Sequence, residues 1–93
     1  MNSDYVLTLH GVQSKFHNQP VTLTREQLIE SAAQDAAREY RERPPVPPVD
    51  EDAYINALAH NRATLIIADD DYERLSNSVE NEIGDRVEDI LAS

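Results

Sequence analysis

The chain has 93 residues, a formal charge of −10, no cysteine and no tryptophan. That length holds one domain with a thin core, and without cysteine no disulfide or thiolate chemistry is open to it. No apolar run approaches the ~20 residues a bilayer-spanning helix needs, and the first residues lack the basic stretch of a signal peptide, so a cytoplasmic location is expected.

The charge is unevenly spread. Residues 1–49 hold six acids and five bases, 50–68 hold three acids and Arg62, and 69–93 hold nine acids against two bases. The C-terminal end therefore repels nucleic acid and anionic membrane alike, so neither is expected as a direct partner.

In chain order, Tyr5–Val12 alternates and is rich in β-formers, which predicts a strand with Tyr5, Leu7 and Leu9 on one face. Gly11 marks its end or a bulge. Gln13–Gln19 reads as a loop. Pro20–Thr24 reads as a second short strand, with Val21 and Leu23 facing one way. The two strands are expected to form an antiparallel hairpin, which needs a covering helix to be stable.

Thr24-Arg25-Glu26-Gln27 has capping-box spacing. Leu28, Ile29, Ala32, Ala33, Ala36, Ala37 and Tyr40 follow at helical intervals. Arg38, Arg41 and Arg43 suit the negative end of the dipole, and Pro44-Pro45 stops the helix. The Pro-rich segment 44–49 reads as an extended spacer in preference to a ligand for a proline-binding domain.

Asp50-Glu51-Asp52 opens a second helix with Tyr54, Ile55, Leu58 and Ala59 on its apolar side. Residues 63–68 fit either a continuation of that helix or a third strand, and Thr64, Ile66 and Ile67 favour the strand. Asp69-Asp70-Asp71 starts a last helix, with Asp70 and Glu73 at capping-box spacing. Its apolar stripe is Tyr72, Leu75, Val79, Ile83, Val87, Ile90 and Leu91, a core or dimer face. Gly84 within it costs roughly 1 kcal/mol against alanine. The fold class is thus α+β: a single domain over 1–93, with an N-terminal hairpin, an optional third strand and about three helices.

Chemistry-bearing motifs are absent. His10, His17 and His60 have no metal-ligand spacing, and His10 and His17 read as surface residues. The Asp69–Asp71 run enters a helix, where N-capping accounts for it better than a calcium loop does. No nucleophile elbow or glycine-rich phosphate loop exists, so neither enzymatic activity nor a cofactor or metal is expected.

The acids of the last helix carry the functional expectation: Glu73, Glu80, Glu82, Asp85, Glu88 and Asp89 as a partner-binding face. Glu88 and Asp89 lie in the final turn, where carboxylates oppose the macrodipole. In size and charge the chain resembles, in general character, the small acidic inhibitors of phages and mobile elements, which block nucleic-acid-binding grooves by imitating phosphate charge. It carries no motif of any one family. That resemblance implies a protein partner with a basic surface. The alternative is a homodimeric assembly protein whose acidic face serves solubility.

Overall fold

The computed structural model describes residues 4–16 and 20–93, so His17 lies outside the described residues. Two strands, β1 (Tyr5–Thr8) and β2 (Gly11–Ser14), pair antiparallel in the register Tyr5–Ser14, Val6–Gln13, Leu7–Val12 and Thr8–Gly11. Three helices follow: α1 (Arg25–Glu42), α2 (Glu51–Ile66) and α3 (Tyr72–Ala92). The hairpin packed on helices bears out the α+β expectation.

The hairpin is tighter than the sequence suggested. The chain reverses at Leu9 and His10, so the expected single strand Tyr5–Val12 is divided between β1 and β2. Gly11 carries φ 113, a value that L-residues rarely adopt, and this positive φ lets β2 begin directly after the turn. Tyr5 and Leu7 face the core as expected, whereas Leu9 sits exposed in the turn. Gln13 and Ser14, read as loop, belong to β2.

Pro20–Thr24 is not a strand. The segment runs irregularly beneath Tyr5, whose hydroxyl donates to the Pro20 carbonyl at 3.2 Å and lies 3.2 Å from Thr22 Oγ1. Thr24 then ends it as the N-cap of α1. Its side chain accepts from Gln27 N–H, and Gln27 Oε1 accepts from Thr24 N–H, closing the expected capping box.

The spacer expectation for 44–49 is also corrected. Val49 N–H bonds to the Val46 carbonyl at 3.1 Å, making a turn instead of an extended rod. Tyr54 donates to the Arg43 carbonyl at 2.7 Å and meets Tyr40 edge-on, which fastens the start of α2 to the end of α1.

The expected strand at 63–68 is overturned, because α2 runs through Ile66. Ile55, Leu58, Ala59, Ala63 and Ile66 recur on one buried side, and that helical spacing outweighs the β-propensity of the isoleucines. One residue keeps a trace of strand: Ile67 forms a parallel bridge with Leu7, and Ala68 N–H bonds to the Leu7 carbonyl.

Asp69–Asp71 form a single 3-10 turn before α3, and no side-chain cap bond joins Asp70 to the helix. Asp71 instead accepts the exposed Leu9 N–H at 3.2 Å, tying the hairpin turn to the start of α3.

The core is one cluster. Leu7 and Ile67 close its sheet end, and Leu28 with Ala32, Ala33, Ala36 and Ala37 form its α1 wall. Val79, Ile83, Val87 and Ile90 supply the α3 wall. Tyr72, Leu75 and Leu91 pack against it half-buried. The α3 stripe is therefore core, and its buried members have no face left for a second copy of the chain.

Gly84 is buried against α2. A Cβ there would stand 3.9 Å from both Ala59 Cβ and Asn56 Oδ1, which is ordinary contact. Gly84→Ala is therefore expected to raise stability by about 1 kcal/mol through helix propensity. A fall in the urea midpoint would show that α2 and α3 need the missing side chain.

Candidate functional site

Among the described residues, three arginines and one histidine pair with carboxylates on a neighbouring helix. Arg25 at the start of α1 grips Glu82 of α3 with two bonds, at 2.6 and 2.5 Å. Arg86 of α3 binds Glu30 of α1, with Nε at 2.8 and 3.0 Å from the two carboxylate oxygens. Arg62 of α2 meets Glu39 of α1 at 2.8 Å. His60 Nδ1 of α2 lies 2.5 Å from Glu80 Oε1 of α3. Hydrogen bonds donated to their carboxylate partners are the main reason the Arg25 and Arg86 guanidinium pKa values stand above normal.

Two of the six expected partner-binding acids are thus held within the fold. Glu82 belongs to Arg25, and Glu80 belongs to His60 and to the Tyr72 hydroxyl at 3.3 Å. The other four, Glu73, Asp85, Glu88 and Asp89, are exposed, and no hydrogen bond or ion pair engages them among the described residues. Asp89 alone of these four is close enough to an arginine, Arg86, to raise its pKa.

The final turn of α3 has no basic residue of its own. Arg41 reaches across from α1 and donates to the Ile90 carbonyl at 3.1 Å. Part of the dipole compensation missing from the α3 sequence is therefore tertiary, which offsets some of the cost of carrying Glu88 and Asp89 there.

Three of these exposed acids, Asp85, Glu88 and Asp89, border grooves on either side of α3. The first, about 380 Å³, runs between α1 and α3, with Asp85 and Asp89 on one bank, Glu26 and Glu30 on the other and Ile29 below. The second, about 520 Å³, opens where the end of α1, the start of α2 and the end of α3 converge. Glu88 borders it together with Glu51 and Asp52. The sequence marks Glu51 and Asp52 only as the opening of a helix, and their meeting with Glu88 depends on tertiary packing.

His60, Tyr72 and Glu80 form a small polar cluster on the α2–α3 surface, with the His60 and Tyr72 rings edge-on at 6.5 Å. Burial raises the Tyr72 phenol above its usual pKa, and the charge of Glu80 and its hydrogen bond add to the effect. The folded state therefore favours the neutral phenol. That contribution to stability is fully present below the ordinary tyrosine value of about 10 and is lost as pH rises through the higher folded value. In an ultraviolet titration, the phenolate signal lost in Tyr72→Phe should have a midpoint above about 10, and Glu80→Gln should move that midpoint down. An unmoved midpoint in Glu80→Gln would assign the shift to burial alone.

His10 is exposed in the hairpin turn. No group of three or more metal-ligating side chains comes together among the described residues, and none of their helices is long and apolar enough to cross a membrane. No protein-family model matches the chain, and no curated protein or solved structure matches it.

Proposed function

We propose that this protein is a small acidic interaction module that binds a basic surface of a partner protein, acting as an inhibitor or regulator of phage or mobile-element type. Its target is a nucleic-acid-handling surface, and the mechanism is charge mimicry: the module occupies the groove that would otherwise hold phosphates. One observation supports this reading above the others. Asp85, Glu88 and Asp89 stay exposed and unbonded on one helix, while Arg25, Arg41, Arg62 and Arg86 are held in helix–helix bonds.

The charge is concentrated enough for this mechanism. Asp85, Glu88 and Asp89 fall within about 6 Å of helix axis, at successive offsets of about 4.5 and 1.5 Å. Such a surface gives fast, salt-sensitive association, because steering by charge falls with ionic strength.

Capture of partners from the native host on the immobilised protein, followed by a salt gradient, tests the reading. A nucleic-acid-handling protein released as salt rises is the expected outcome. Recovery of the chain itself as the sole binder, or retention indifferent to salt, would refute it.

A further inference from the structure

We propose that the groove at the convergence of the three helices is the anchoring slot of this interface. It takes an apolar side chain from a basic segment of the partner, with lysines or arginines on either side of that side chain. This rests on the reading above that the partner is basic, and it says where and how the partner is held.

The groove differs in kind from the rest of the acidic surface. Its floor is Ile55, which is buried, and its walls are the half-buried Tyr40 and Leu91. Its volume of about 520 Å³ is within the range of side-chain and ligand pockets. Val46 and Val49, 70% and 51% exposed, stand on the α1–α2 turn that leads from one wall of the groove to the other. These two exposed valines lie in sequence between Pro44 and Glu51, which do line the slot, and leave hydrophobic surface that a partner would cover.

The rim selects the partner's charge. Glu51, Asp52 and Glu88 border the slot, and the one cation on its border, Arg41, already donates to the Ile90 carbonyl. The carbonyl ends of α1 and α3 add negative partial charge there, and the positive amide end of α2 is already complemented by Asp50, Glu51 and Asp52. An apolar floor ringed by carboxylates fits a side chain such as leucine flanked by cationic residues. It disfavours an acidic or neutral peptide, whose approach gains nothing from the field. It also disfavours a symmetric second copy, which would set the same three carboxylates face to face with their own images at a net charge of −10 per chain.

Amide chemical shifts of the isotope-labelled protein, titrated with two short synthetic peptides, test the slot. One peptide has a central leucine between arginines, and the other has the same charge with glycine in place of leucine. The expected result is saturable shifting of the Tyr40, Ile55 and Leu91 amides by the leucine peptide. Its affinity should exceed that of the glycine peptide by about tenfold or more, as burying a leucine side chain implies. Leu91→Ala should erase most of that difference and leave the glycine peptide's affinity unchanged.

If both peptides bind equally and shift the amides of Glu73 and Asp85 instead, the slot is refuted while the acidic-face reading stands. If neither binds at low salt, both fail. Concentration-dependent shifts at the slot without any peptide, with a dimeric mass by light scattering, would make a second copy the occupant and overturn the proposal.

Discussion

Ile83→Ala should lower the stability of this domain by about 2–5 kcal/mol, towards the upper end of that range. Ile83 has no exposed surface and sits midway along α3, in the cluster it shares with α1 and α2. The cost of such a truncation depends on how far the surroundings collapse into the space left behind. Here most of the α1 wall beyond Leu28 and Ile29 is Ala32, Ala33, Ala36 and Ala37, all essentially unexposed. Alanines have no rotamers with which to reach inward, so along that stretch refilling would require a helix backbone to move. The cross-helix bonds Arg25–Glu82 and Glu30–Arg86 resist that movement. A chain of 93 residues is expected to have roughly 5–14 kcal/mol in all, so one methylated branch represents a large part of the total.

With no tryptophan in the chain, helical circular dichroism in urea is the suitable measurement. The midpoint should fall sharply at nearly constant slope. Leu65→Ala serves as the control: Leu65 is 52% exposed on α2, and its loss should cost within about 0.5 kcal/mol. Equal, small effects from both substitutions would mean that the α3 stripe is not core.

Where the sequence was readable, the signal was local and redundant. The α1 start was fixed by Thr24 and Gln27 together, its core side by six apolar residues at helical spacing, and its end by Pro44-Pro45. The α3 stripe was legible for the same reason. Short segments misled. Pro20–Thr24 alternates as a strand would, but five residues of alternation are also what an irregular lead-in to a helix shows by chance, and only Leu23 is part-buried there. Gln13 and Ser14 are polar and lie on an edge strand, so no apolar alternation marked them. At 63–68 the β-branched residues argued for strand, yet the buried spacing from Ile55 to Ile66 had already set a helical period, and tertiary burial decided the matter. The candidate site was half legible. That Asp85, Glu88 and Asp89 would be exposed followed from the α3 period. That Glu80 and Glu82 would be taken by His60 and Arg25 did not, because those partners lie 20 and 57 positions away in the chain. The joining of Glu88 with Glu51 and Asp52 around one groove was invisible for the same reason.

Replacing Asp85 and Glu88 together by lysine should slow association with the basic partner by roughly tenfold or more at low salt, with a smaller effect on dissociation. Each reversal moves the net charge by two, so the pair takes it from −10 to −6 and places two cations in the middle of the unbonded acidic surface. The variant should remain folded. Neither side chain makes an internal bond, both are exposed, and lysine in the last turn of α3 suits the dipole better than the native Glu88. Stability should therefore hold or rise slightly, by a few tenths of a kcal/mol. A matched reversal at Glu82 is uninformative about binding, because it would break the Arg25 bonds and change the fold's own contacts. The decisive reading is the slope of the association rate against ionic strength, measured for the native protein and the double variant on the captured partner. The native slope should be steep and the variant's shallow, with the two converging as salt rises and the Debye length falls to about 3 Å. Parallel slopes, with the variant binding as fast as the native protein at low salt, would mean that these carboxylates only keep the protein dispersed in water.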